Sequence, residues 1–461
     1  MSSLPARQHC SLSADFGLAR AEITPPVGIY SRNWGAAEHD TADGIHRPLW
    51  LTALTIQPIS GDASPLVLVD ADLGWWRPLK LFYEFRDRVL KELNLDRSRF
   101  LFALTHTHAS APLMQPDEVL PGSELLEPWL ETVFQKTVSV VRSALSQTFP
   151  GTLDWHTGRC SLAAVRDLPD PDSQTPRYIC GFHPNVAADD TLLLGRLTAK
   201  DGEVRGVIVN YACHPTTLAW QNTVISPDYI GAMRETIESS TGATALFLQG
   251  NSGDLAPRHQ YVGDTSVADR HGRLLGHAAL ATLYDMEPPR TQLAYQETVE
   301  SGAPLAVWRH RSRTVSSEVS AQMSSVEIPL KDWPTADDLE QQRLACTDRA
   351  LAERLRRKRD IRRVLGDGQT FALPVSVWRL GEAVLAGCCC EAYSALQQHL
   401  RGEFPETAVV CLNLANGSIG YLPPQHLYDS DVYPVWQTPF DRGSLEILED
   451  GLKKGIRQLL E

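Results

Sequence analysis

The chain reads as an α/β protein in which one or more mixed, partly parallel sheets are flanked by helices. Three observations predict this. Five short apolar runs, each bounded by turn residues or charges, have the length of buried strands. Stretches of helical periodicity lie between them, the alternation expected where parallel strands are joined by helices. The composition, 43% hydrophobic and 21% charged over 461 residues, is that of an ordinary globular protein, not a disordered or fibrous one.

The elements follow in order. Leu66 to Val69 is the first apolar run, and Leu79 to Leu93 the first helical pattern. Phe100 to Leu104 is a strand, followed by a helix over Glu124 to Leu145. Val207 to Val209 and Ala245 to Leu248 are strands, and Tyr229 to Ser239 and Ala268 to Leu283 are helices. Val375 to Leu385 forms a hairpin turning at Gly381-Glu382. Val409 to Leu412 is the last buried strand. A helical insertion occupies about 335–364, with Thr335 and Asp338 as its N-terminal cap. At roughly 150 residues per domain the length allows about three domains. A break is conceivable at Pro288-Pro289, but chemistry-bearing motifs fall on both sides of it. One catalytic unit over 1–461 is therefore expected.

Charge excludes some functions. With 43 Lys and Arg against 56 Asp and Glu, the net charge is −13. This argues against nucleic-acid binding, which needs clustered cations on phosphate. The exception is the run from Arg354 to Arg363 in the insertion, which is read as a solvated helix face. No apolar run of about 18 residues exists, so no transmembrane helix is expected. The N-terminal residues lack the apolar core of a secretory signal. Nine Cys, three of them consecutive at Cys388 to Cys390, are too sparse for a disulfide scaffold and read as reduced, buried thiols of a cytoplasmic protein.

Four motifs carry candidate chemistry. In Thr105-His106-Thr107-His108, after the strand Phe100 to Leu104, alternation along an extended segment puts both His on one face. Two imidazoles there suit a metal ligand and a neighbouring acid or base, or simply a hydrogen-bonded surface pair. In Tyr211-Ala212-Cys213-His214-Pro215-Thr216, another buried strand runs into a His, with Pro215 fixing the backbone behind it. Ligands of open α/β sheets bind beyond strand ends. Cys213 beside His214 does not make a thiol-protease pair, because adjacent strand residues face opposite ways. Gln249 to Pro257 is a Gly-rich turn whose N–H groups could approach a substrate or oxyanion. It is neither a phosphate loop nor a nucleophile elbow. Glu391 and Tyr421, taken alone, read as the first turn of a helix and a loop aromatic. Trp34, Trp75, Trp76 and Trp436 are read as core more than pocket lining.

Taken together, these stretches resemble the neutral, non-lysosomal ceramidase family, in its catalytic N-terminal region. The resemblance rests on Ala21 to Gly28, Gly44 to Leu49, Thr105 to His108, Tyr211 to Thr216, the turn from Gly250 to Pro257, and Asn416 to Tyr421, in family order across nearly the whole chain. It implies a mononuclear zinc amidohydrolase with His106, His214, Glu391 and Tyr421 as the Zn2+ ligands. It implies that His108 lies by the substrate and that Arg166 faces it. His108 or Asp254 would pass the proton to the leaving amine. The Gly-Glu-Pro setting of the family's Glu is here Cys390-Glu391-Ala392. Where ceramidases carry a Ser proposed as a nucleophile, this chain has Ala256, so water activated by the metal is the expected attacking group. The ceramidases' C-terminal β-sandwich is not expected here, and a small soluble amide is the expected substrate, with no nucleic-acid or integral membrane partner. An ester or lactone hydrolase, or an acyl transferase, would use the same site. A binding protein that kept the fold and lost the chemistry is the alternative outside enzymes.

Overall fold

The computed structural model describes residues 6–59, 64–116 and 118–461. Its centre is an eight-stranded mixed sheet. The strands are β1 (Cys10–Glu22), β2 (Trp50–Gln57), β3 (Leu66–Ala71), β4 (Phe100–Leu104), β5 (Thr148–Arg159), β6 (Thr191–Ala199), β7 (Val204–Tyr211) and β8 (Thr244–Gln249), in spatial order β8-β7-β6-β5-β1-β2-β3-β4. The pairs β3/β4 and β7/β8 at the two margins are parallel, and the rest are antiparallel.

The continuous apolar runs arise because this sheet is buried on both faces. In β4, Phe100, Phe102 and Leu104 pack against helices α1 (Leu79–Leu93) and α2 (Leu126–Ser146), while Leu101 and Ala103 point the other way. In β7 and β8, Val207, Val209, Ala245 and Phe247 face α3 (Tyr229–Thr241) and α4 (Thr265–Tyr284). The opposite face packs on a four-stranded sheet of β11 (Val319–Pro329), β12 (Thr370–Leu380), β13 (Ala383–Cys388) and β14 (Ala408–Leu412), after an exposed hairpin of β9 (Thr291–Glu300) and β10 (Pro304–Ser312). Trp378 and Leu385 from this second sheet meet Leu12, Phe16 and Leu54 from the first. Helices α7 (Ser394–Glu403) and α8 (Ser444–Leu460) cover its outer face, which completes four layers. The β12–β13 turn falls at Gly381-Glu382 as predicted, with Gly381 at φ 67° against the β1 backbone.

The sheet margins come together, and this builds the site. A flat drawing points β4 and β8 in opposite directions. Twist of about 20–25° per strand accumulates to about half a circle over eight strands, which brings their carboxyl ends to one side. Two devices hold the seam. The Phe247 N–H of β8 donates to Asp70 Oδ2 of β3 at 3.0 Å, and Arg234 of α3 pairs with Asp70 and Asp72 at 2.7 and 2.6 Å. The segment after β14 spans the gap: Asn413 N–H donates to the Gln249 carbonyl, and the Asn416 side chain bonds the backbone of Phe100 and Phe102. The free edge of β4 is thereby satisfied.

The helical segment at 335–364 is a pair, α5 (Ala336–Ala345) and α6 (Arg349–Leu365), and the Thr335–Asp338 capping box is present. Its basic face is not a solvated face, which corrects the sequence reading. Arg359 is 2% exposed and pairs with Glu340 of α5, and Arg362 is buried beside the helix end. Arg354, Arg356 and Arg357 turn toward the cleft described next.

Candidate metal centre

His106 follows β4 directly. Its backbone is left-handed (φ 72°), so Thr105 to His108 is not an extended segment, and alternation is not what aligns the two His. The turn does so instead: the His106 and His108 ring centroids lie 4.8 Å apart. The His106 N–H donates to the Leu73 carbonyl, and its Nδ1 faces the Gly74 carbonyl at 3.2 Å. His214, fully buried after β7, has Nδ1 against the Ser252 carbonyl at 2.6 Å.

Carbonyl oxygens only accept, so both Nδ1 atoms carry a proton, which leaves Nε2 as the lone-pair atom of each neutral ring. Those lone pairs converge on one carboxylate oxygen. Glu391 Oε2 is 2.9 Å from His214 Nε2 and 3.3 Å from His106 Nε2. Glu391 sits not in a helical turn but in a two-residue strand, Glu391–Ala392, paired in parallel with Tyr421–Leu422. Tyr421 therefore stands beside it. The phenol ring stacks on His214 with centroids 6.3 Å apart and planes 21° apart.

This donor set fits a metal cation. Acceptors facing acceptors at 2.9–3.3 Å repel unless a positive centre lies among them. Ligands on a tetrahedral Zn2+ at 2.0–2.1 Å would be about 3.3 Å apart. Carbonyl-anchored Nδ1 atoms are the usual second contact of metal-binding His. Burial, then the nearby Arg166 charge, pushes His214 down to about 4, so it is neutral at pH 7. Burial, reinforced by Glu391, holds the Tyr421 phenol well above its usual value.

His108 is the third imidazole. Its Nε2 is 3.5 Å from His106 Nε2, and the ligand atoms of His106, His108 and His214 all lie within 4.8 Å of one another. Its ring packs on Trp75 at 4.7 Å and Trp34 at 5.2 Å. Burial, then the other two imidazoles, keeps it well below an ordinary His and so neutral. Arg166 is 4% exposed, with its guanidinium 5.4 Å from the Tyr421 ring centre and two N–H groups on the Gly253 carbonyl.

Two readings of the Gly-rich turn change. The N–H groups of Gly250, Asn251, Gly253 and Leu255 are bonded within the protein, so they do not form an oxyanion cradle. Gly253 is needed for packing instead: a Cβ there would lie 2.7 Å from the Glu391 carbonyl oxygen. Asp254 is bound at the start of a helix. Its carboxylate accepts from the Ser394 N–H and hydroxyl, both at 2.7 Å, at the start of α7. Ala256 is buried in a short strand opposite Ala164. Cys213 is fully buried, and burial pushes its thiol well up. All nine cysteines are free.

The cleft above the cluster has two lobes. One is lined by Trp75, Leu79, Met114, Ile361 and Ile419, the other by Trp34, Arg166, Trp220, Tyr261 and Arg354. Glu353, Arg357, Tyr433 and Gln437 belong to both. Of these wall residues the sequence reading singled out Arg166, missed Glu353, Tyr433 and Gln437, and favoured the core for Trp34 and Trp75; among the four tryptophans, Trp76 is buried in the core. The run of Arg beside Glu353 was the one available signal.

No protein-family model matches the chain. Neutral ceramidase of Pseudomonas aeruginosa is 27% identical over 274 residues, a match covering 55% of this chain and 38% of that protein's length. The crystal structure of neutral ceramidase from the same organism superposes with a TM-score of 0.66 at 18% identity, over 97% of this chain and 75% of that one. A second structure, a ceramidase complexed with C2, gives 0.65 at 17%, over 97% and 76%. The mixed α/β architecture is thus that of the neutral ceramidase structures.

Proposed function

We propose that this neutral-ceramidase-like chain is a hydrolase of N-acyl amides that uses one Zn2+ held by His106, His214, Glu391 and Tyr421. The observation that carries this reading is the convergence of two Nδ1-anchored His on Glu391 Oε2, at 3.3 and 2.9 Å. The 27% identity to a neutral ceramidase supports the bond type. When bound, Zn2+ polarises a carbonyl and lowers the pKa of water to about 7.

The protein's own groups supply the rest. Neutral His108 can take a proton at Nε2 and return it to the leaving amine. Arg166, fixed on the Gly253 carbonyl, orients the substrate beside Tyr421. The Trp34 and Trp75 rings exclude water around His108. With Ala at 256 no hydroxyl stands ready as a nucleophile there, which favours water as the attacking group.

Metal analysis by inductively coupled plasma mass spectrometry, with an amide hydrolysis screen, tests this. About one zinc per chain is expected, lost in His106→Ala and His214→Ala and retained in His108→Asn. Full hydrolysis by metal-free protein would refute the reading. Loss of zinc in His108→Asn would replace the ligand set with the three His.

A further inference from the structure

The cleft carries more positive charge than its own carboxylates balance. Glu353 of α6 is 9% exposed and is shared by Arg77 (3.3 Å), Arg357 (3.0 Å) and Arg356 (3.8 Å). Arg356 also pairs with Glu118. Arg166 is buried, and among the described residues no carboxylate lies within ion-pair distance of it. Arg354 stands at the mouth of the same lobe, stacked over Trp436 at 4.7 Å, and forms no ion pair among the described residues. One lobe therefore has Arg166, Arg354 and Arg357 on its wall with Glu353 alone opposing them.

The walls sharpen this charge. Trp34, Trp220 and Tyr261 form a box with centroids 5.7–6.1 Å apart. Such rings lower the local dielectric and lengthen the reach of the guanidinium charge. A buried guanidinium without a carboxylate is costly unless a ligand anion completes it. Guanidinium pairs carboxylate and phosphate in the same forked geometry. The other lobe brings Trp75, Leu79, Met114, Ile361 and Ile419 together on one wall, beside the Arg77, Arg356 and Glu353 group whose charges are paired within the protein.

We infer that the substrate is an amphipathic amide with an anionic head, a carboxylate or a phosphate monoester, held by Arg166 and Arg354 between the aromatic walls, and an apolar end seated against Trp75 and Ile361. This rests on the amide-hydrolase reading of the His cluster and narrows it to anionic amides. Arg354 acts here as a specificity residue, remote from the ligand cluster.

Matched substrates test it on the zinc-loaded protein: N-hexanoyl-β-alanine, N-hexanoyl-phosphoethanolamine and neutral N-hexanoyl-propylamine. At least one anionic amide is expected to exceed the neutral one by tenfold or more in kcat/KM, and which one leads identifies the head group. In Arg354→Gln that ratio should fall at least fivefold, while Arg442→Gln, which breaks an exposed pair with Asp429, should leave it unchanged. Calorimetric binding of hydrolysis-resistant hexanesulfonyl-β-alanine, against hexanesulfonyl-propylamine, reads the same preference without turnover. Equal turnover of neutral and anionic amides overturns the inference and leaves amide hydrolysis standing. An anion preference insensitive to Arg354→Gln overturns the subsite. Anion-selective binding that depends on Arg354, with no amide turned over, keeps the subsite and overturns the amide-hydrolase reading.

Discussion

The His cluster and the α6 wall face each other across one cleft, yet they are built in opposite ways. His106 and His214 follow directly from strands β4 and β7, and their rings are fixed by backbone carbonyls of neighbouring turns. The wall is held chiefly by ion pairs between side chains: Glu353 gathers Arg77, Arg356 and Arg357, and Arg357 also reaches the Asn33 carbonyl at 3.0 Å. The first region is set by the fold, because strand ends and carbonyls cannot move independently of the sheets. The second can change by single substitutions without disturbing a strand. Under the proposed function, chemistry would belong in the first region and substrate choice in the second.

The largest effect that would separate them is expected at Glu391. Glu391→Ala removes the carboxylate on which both Nε2 atoms converge. Loss of bound zinc and a fall in kcat/KM of about 10^3-fold or more are expected, read by metal analysis and steady-state kinetics on one preparation. Retention of both metal and turnover would make the three His the functional ligands and Glu391 a mere neighbour.

The same contrast explains what the sequence disclosed. Phe100 to Leu104 and Val207 to Val209 are legible as strands because both faces of the sheet are buried and every residue is apolar. The His that follow them are legible because they are contiguous with those strands. Glu391 and Tyr421 are not legible from pattern. They lie in two-residue strands whose pairing depends on the second sheet, and only the family resemblance singled them out. The α6 face misleads because a run of Arg has the same periodicity whether water or Glu340 and Glu353 receive it. Left-handed His106 is invisible for a related reason: the carbonyls of Leu73 and Gly74 that hold it belong to a loop after β3, far away in sequence.

A smaller effect belongs to the wall. Arg357→Gln gives up the pair with Glu353 and the bond to Asn33. Charged hydrogen bonds of this kind contribute about 1.5–3 kcal/mol. A rise in KM of about tenfold is expected, with zinc content unchanged and kcat little altered. A kcat loss as large as that of Glu391→Ala would mean the wall takes part in chemistry, and the division between the two regions would fail.

The smallest effect is expected at Asp254, where sequence and structure point different ways. As a proton shuttle, Asp254→Asn would remove most of the turnover. Its carboxylate, however, is engaged by the Ser394 N–H and hydroxyl at the start of α7, which makes it a cap that carries the Gly-rich turn against Glu391. Burial, opposed by the bonds from Ser394, raises its carboxyl to about 6. A folded-state pKa above the unfolded value near 3.9 favours the protonated form. The associated stability is fully present below about pH 4 and is lost as pH rises through 6. Asn has no proton to lose, so urea midpoints of Asp254→Asn should lack the decline that Asp254 contributes between pH 4 and 6. Turnover at pH 7 should stay within a few-fold of the parent. A loss of activity a hundredfold or greater, with the pH-stability profile unchanged, would return Asp254 to the reaction and remove it from the scaffold.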